Sequence, residues 1–258
     1  MEGICHVCGE MKKLTFEHLP PKSVFNKDNI KMYNIIDVAT KESVPWNFDG
    51  MKYKAQQQGG NGGYTLCEQC NNNLGSWYVV DYADFALKLY NCIKNYGFSQ
   101  DDLFSVYATE IYPQRIFKAV LAMFCSLNNN AFSENANIRK LLLHKESKGL
   151  EDGYGISMYY NIGSVIRLFP LSAIGYDTGQ IRAVSEISWL PFGYVLDTNR
   201  RNISGDFDIT DFSKYGYDEK VDITIYMRAR EVNNPIMPTD FRSKKQILEQ
   251  ARRKLDRV

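Results

Sequence analysis

Apolar and polar positions along this chain change period several times, and each change marks an element. Leu14 and Phe16 alternate with polar neighbours as a half-buried strand does, and Pro20 and Pro21 then end any further pairing. Residues 63–66, Gly-Tyr-Thr-Leu, read as a second short strand, with a helix beginning near Cys67. From there Trp77, Val80, Phe85, Leu89 and Ile93 keep helical spacing with a mainly apolar face, so the helix continues through Gly75 or restarts after it. Residues 97–102 read as its stop and as a domain boundary.

The second half has a different texture. Residues 113–127 predict a buried amphipathic helix, with Pro113 in its first turn and Ile116, Val120 and Phe124 on one face. A further helix is expected over 135–145. Strand-like segments punctuated by Gly and Pro follow at 155–160, 165–174, 181–196 and 221–228, the last with a period of two. Thr239-Asp240 reads as the cap of a final basic helix over 243–257. Between the first two strands, residues 24–58 form a polar, mixed insert that either carries substrate contacts or caps a site. The fold class expected is α+β, with an N-terminal domain over 1–97 and a mixed α+β domain over 98–258.

Composition narrows the class of protein. The 258 residues are 44% apolar and 24% charged, enough to build ordinary cores. The longest apolar run, Ala119 to Cys125, falls far short of the roughly 18 residues that span a bilayer, and no signal-peptide pattern opens the chain, so a cytoplasmic protein is expected. A net charge of +1 announces no polyanion partner. Its distribution says more: residues 1–82 hold eight lysines against nine acids, whereas 240–258 hold seven basic residues against three acidic.

Cysteine spacing is the strongest chemical signal. Four of the six cysteines form two Cys-x-x-Cys pairs, Cys5/Cys8 and Cys67/Cys70, and each pair presents two thiolates that reach one tetrahedral metal at about 2.3 Å. A structural zinc is the reading these pairs favour over disulfides. Gly9, just past the first pair, suits a turn that needs positive φ. The pairs lie 58 residues apart, so this is no compact zinc finger. Cys92 and Cys125 sit in helix-like apolar stretches and are expected to be buried and inert.

Around the cysteines stand residues with chemistry of their own. Glu17-His18 ends the first strand, Asn61 lies in the glycine-rich loop 58–63, and Asn71 follows Cys70 directly. Adjacent strand residues face opposite ways, so a site using both Glu17 and His18 needs a twist or bulge there. Of the three histidines, His6 lies between two cysteines and His144 in a helix-like stretch; only His18 precedes a Pro-Pro-Lys-Ser segment whose Lys22 and Ser23 suit phosphate contacts. A strand ending in Glu-His, an Asn in a loop, and Cys-x-x-Cys-Asn opening a helix, braced by an N-terminal Cys-x-x-Cys, together resemble the HNH endonucleases of the ββα-metal superfamily, over residues 5–78. The resemblance implies a DNA-hydrolysing endonuclease with His18 as general base and Asn61 orienting it. It also implies a catalytic Mg²⁺ or Mn²⁺ held by Glu17 and Asn71, distinct from the zinc. The family more often has Asp at the Glu17 position and commonly His at the Asn71 position.

Two other readings compete. The departures at Glu17 and Asn71, and the near-neutral charge, suit a non-catalytic zinc-stabilised module that binds nucleic acid or protein. A third reading is a zinc-stabilised scaffold whose C-terminal half mediates homo-oligomer assembly. If the nuclease reading holds, that half would select substrate, drive dimerisation or sense a signal, and nucleases with sensor domains are frequent in phage defence and mobile elements.

Overall fold

A computed structural model of the chain describes residues 1–41, 43–129, 132–175, 181–199 and 206–255. It is a mixed α/β structure with one large sheet, few helices and a cysteine cluster near the N-terminus. The elements run β1 Glu2–Ile4, β2 Met11–His18, β3 Ile30–Met32, α1 Ile35–Thr40, β4 Ala55–Gln57, β5 Gly62–Cys67 and α2 Glu68–Leu74. One π-helical turn, Gly75–Val79, joins α2 to α3 Val80–Ile93, so the helix runs on through Gly75 with a local widening. β6 Leu103–Ile111, α4 Pro113–Leu127 and α5 Ala136–Leu143 follow, then β7 Gly155–Asn161, β8 Arg167–Gly175, β9 Ile181–Ser188, β10 Phe192–Asp197, β11 Phe207–Asp208, β12 Val221–Arg230 and α6 Lys244–Leu255.

Three sheets result. The first is antiparallel in the order β1-β2-β5 and carries the cysteines and the Glu17-His18 pair. The insert contributes a two-stranded ribbon, β3-β4. The seven-stranded sheet runs β6-β12-β7-β10-β9-β8, with β11 also paired to β7; β12 and β7 are its one parallel pair among the described residues. Its edge strand β6 is absent from the sequence pattern. Val106, Ala108 and Ile111 turn inward, but Leu103 and Tyr107 are apolar and exposed on the other face, which blurs the period of two.

Two other expectations are corrected. The 181–196 segment is two strands, because Leu190-Pro191 breaks the ladder and lets β10 fold back on β9. The last helix is capped by Ser243 rather than by Thr239-Asp240. The Ser243 Oγ accepts from the Gln246 N–H at 3.3 Å and the Gln246 side chain accepts from the Ser243 N–H at 2.8 Å, a capping box, while Asp240 is occupied with Arg242 and Asn234. The expected residues 256 and 257 of that helix lie outside the described residues.

One hydrophobic cluster runs from Cys5, Val7 and Leu66 through Tyr78, Phe85 and α4 to Ile225 and Met227, so elements on both sides of residue 97 share a core. α4 is its axis: Ile116, Phe117, Val120, Leu121 and Phe124 are all but inaccessible, as the apolar spacing of that helix predicts. Cys125 is fully buried there, whereas Cys92 lies on the exposed side of α3, contrary to expectation. Among the described residues no helix is long and apolar enough to cross a membrane.

Candidate functional site

The β1-β2 hairpin closes through the knuckle carrying Cys5 and Cys8. Gly9 takes φ 74° there and donates its N–H to the Cys5 carbonyl at 2.9 Å, the turn that glycine makes cheap. The His6 N–H donates to the Thr65 carbonyl, which lays the knuckle against β5, where Cys67 ends the strand and Cys70 sits one turn into α2. The four Sγ atoms lie within 4.8 Å of one another, close enough for one metal ion such as zinc. Hydrogen bonding from the Cys70 thiol holds Cys5 down at about 4, and the same contact pushes Cys70 far up; burial raises Cys8 to about 11. Cys8 and Cys70 thus hold their protons while Cys5 gives its up, and a bound cation would favour the thiolate form of its ligands.

β2 leads from this cluster to the two residues at its end, where their side chains part. His18 turns with Phe16: the rings meet edge to face at 5.1 Å, and Nε2 lies 3.2 Å from the Gly59 carbonyl. Glu17 turns the other way, towards α4. Its Oε2 accepts from Ser126 Oγ at 2.6 Å and from Thr65 Oγ1 at 3.1 Å. Asn71, on α2, donates its amide to Thr15 Oγ1 at 3.1 Å and to the Phe16 carbonyl at 3.3 Å, tying helix to strand. Glu17 and Asn71 therefore border the inner face of β2, while His18 leaves from the outer face. A bulge interrupts the β2-β5 register between Thr15 and Phe16, and across it the inward face changes parity: Leu14 is in the core, Phe16 is 39% exposed, and Glu17 turns in. Glu17 Oε1 and Asn71 Oδ1 take no part in these hydrogen bonds.

The loop facing His18 is held by Asn61 and by three further residues that carry no signal in the sequence. Asn61 is buried; its side chain donates to the Leu19 carbonyl at 2.9 Å, and its carbonyl accepts from the Leu19 N–H at 2.9 Å. Asn26 accepts from the Asn61 N–H at 2.7 Å, Asn29 accepts from the Gly59 N–H at 3.2 Å, and Gln57 brackets Gly62 with two hydrogen bonds. Asn26, Asn29 and Gln57 belong to the insert, whose ribbon is thereby part of the site's frame. Their spacing follows no period because each serves a loop backbone group, so only three-dimensional contact reveals them. Lys22 and Ser23 are exposed on the turn that follows the strand. Asn61 also borders a cavity of about 450 Å³ between the insert and the large sheet, lined by Tyr33, Phe48, Val165 and Trp189.

Burial pushes the Glu17 carboxyl up to about 7, with Ser126 and Thr65 opposing the shift. The folded protein therefore keeps a proton that the unfolded chain releases above the ordinary value of 4.5, and stability falls as pH rises from there to about 7. Glu17→Gln is expected to unfold at the wild-type temperature near pH 4.5 and at a higher one above pH 7. Thermal denaturation at the two pH values, without added divalent cation, checks this; an offset that does not change with pH contradicts it. No protein-family model, no curated protein and no solved structure matches the chain.

Proposed function

We propose that this protein is a metal-dependent HNH-type endonuclease that hydrolyses DNA phosphodiester bonds, braced by a structural zinc on Cys5, Cys8, Cys67 and Cys70. The observation that carries the proposal is the imidazole of His18 held at 3.2 Å from the Gly59 carbonyl on a loop pinned by Asn61. A carbonyl only accepts, so this contact places the ring proton on Nε2 and leaves the Nδ1 lone pair to take a proton. In hydrolysis Nδ1 removes a proton from water, the oxygen forms a bond to phosphorus, the bond to the leaving oxygen breaks, and that oxygen is protonated from solvent. Asn61 acts as a positioning residue, since it touches the loop rather than the reacting atoms. Glu17 Oε1 and Asn71 Oδ1 would hold the catalytic Mg²⁺ or Mn²⁺. When bound, such a cation stabilises charge on the phosphate and the leaving oxygen as a Lewis acid. Lys22 and Ser23 would contact the phosphate backbone.

The test is incubation of the zinc-loaded protein with supercoiled plasmid and Mg²⁺ or Mn²⁺. Nicking that stops on chelation of the added metal is expected; an intact plasmid with either metal counts against the reading. By analogy with nucleases joined to sensor domains, the C-terminal half would gate cutting in phage defence or a mobile element. A second reading, a non-catalytic zinc-stabilised binding module, is favoured by one observation: Ser126 and Thr65 both bind Glu17 Oε2, turning the carboxylate towards α4 and away from the face that carries His18. That reading predicts nucleic-acid or protein binding with no cleavage.

A further inference from the structure

The outer face of the β1-β2-β5 sheet carries an aromatic pair beside His18 that neither the zinc site nor the proposed hydrolysis uses. Phe16 and Tyr64 are direct cross-strand partners, with ring centroids 5.6 Å apart and planes at 78°. They are 39% and 52% exposed, an unusual amount of aromatic surface to leave in water so close to a polar loop. The residues opposite Glu17 and His18 on β5 are Gly63 and Gly62. A Cβ on Gly62 would stand 2.1 Å from the Glu17 carbonyl oxygen and 2.8 Å from the Phe16 ring, so this glycine lets the ring lie down across the strand. Gly62 and Gly63 therefore send no side chain over the imidazole, and the edge-to-face rings of Phe16 and Tyr64 lead up to it.

Exposed lysines on the adjoining turn and ribbon, with Asp28 among them, point to its occupant. The turn after His18 exposes Lys22 and Lys27, and the ribbon fastened to Gly62 through Gln57 exposes Lys31, which lies 5.5 Å over the Tyr53 ring, with Lys54 just before β4. Two half-exposed rings, with lysines on the adjoining turn and ribbon, suit a strand whose bases are unpaired: stacking needs free base faces, and lysines would meet phosphates. A duplex keeps its base faces stacked inside and offers nothing for Phe16 or Tyr64 to cover.

We propose that Phe16 and Tyr64 form a stacking platform for unpaired bases, so that the site beside it engages single-stranded or locally unpaired nucleic acid. This rests on the reading of His18 as part of a phosphodiesterase, and it deepens that reading by naming the form of the substrate. The common role for such a pair, cross-strand packing that stabilises the hairpin, is what the test must separate from it.

The measurement is fluorescence anisotropy of a labelled dT 20-mer, a labelled rU 20-mer and a 20-base-pair duplex, titrated with the full zinc-loaded chain without added divalent cation. Wild type is expected to bind a single strand more tightly than the duplex, the two oligomers distinguishing DNA from RNA. Phe16→Leu with Tyr64→Thr keeps an apolar and a β-branched residue across the strands but removes both π-faces. It should weaken single-strand binding about tenfold or more, with duplex binding, zinc content and thermal midpoint unchanged. Tyr64→Trp should keep the affinity, and its indole fluorescence should be quenched by the dT or rU oligomer. That arm reads stacking directly even if the double variant folds poorly. Single-strand and duplex affinities falling together, no fall at all, or an indole signal in Tyr64→Trp that is blind to both oligomers would each overturn the platform and leave the aromatic pair to hairpin packing or a protein partner. Because binding is read without cleavage, the platform can fail while plasmid nicking persists, and can stand while nicking is absent.

Discussion

Cys70→Ser is expected to abolish metal binding and folding of the N-terminal region together. Metal analysis should find about one zinc per wild-type chain and none in the variant, and the variant should lose its cooperative thermal transition, because structural zinc commonly contributes roughly 10–16 kcal/mol. The coupling follows from where the ligands sit. Cys5, Cys67 and Cys70 are themselves part of the shared core, and the Cys67 N–H donates to Cys5 Sγ at 3.3 Å, so a lost ligand loosens the hairpin, the end of β5 and the start of α2 at once. The variant also loses the Cys70 thiol whose hydrogen bond favours the Cys5 thiolate, while burial still pushes the Cys8 thiol up. Acidification should release the zinc from wild type, as protons compete for the thiolates. A soluble, metal-free Cys70→Ser protein with the wild-type transition contradicts the structural role.

The second large effect is expected at His18. His18→Ala should lower the rate of plasmid nicking by roughly 10²- to 10⁴-fold, the usual worth of a positioned general base. It should leave the fold intact, because the imidazole is only partly buried and its hydrogen bond among the described residues goes to the Gly59 carbonyl, while the loop itself is pinned by Asn61, Asn26 and Asn29. The contrast between Cys70 and His18 separates frame from chemistry: the first variant should fail in every assay, the second in catalysis alone.

What could be read from the chain depended on whether a residue serves a periodic surface or a single backbone group. The 3.6-residue spacing of Ile116, Val120 and Phe124 marks α4 at the bounds it takes, since each of those positions faces the core. The two Cys-x-x-Cys pairs pick out the four-cysteine cluster, close enough to hold one metal ion, although 58 residues separate them, because thiolate pairs at that spacing have few other uses. By contrast β6 hides behind Leu103 and Tyr107, whose exposed side chains spoil its alternation, and Cys92 reads as buried because its helix is apolar on average. The clasp formed by Asn26, Asn29 and Gln57 has no pattern, and the engagement of Glu17 by Ser126 joins residues 109 positions apart. Apolar periodicity reports which face is inside; it says nothing about which inward polar residue will meet which hydroxyl.

The central claim is that the zinc-braced frame holds His18 for phosphodiester hydrolysis, and one comparison reaches it most directly. Wild type and His18→Ala, matched for zinc content and thermal midpoint, are each incubated with supercoiled plasmid and Mg²⁺ or Mn²⁺. Nicking by wild type that stops when the added metal is chelated is expected, and none above background by His18→Ala. Equal nicking by the two proteins, or an intact plasmid with wild type in either metal, contradicts it.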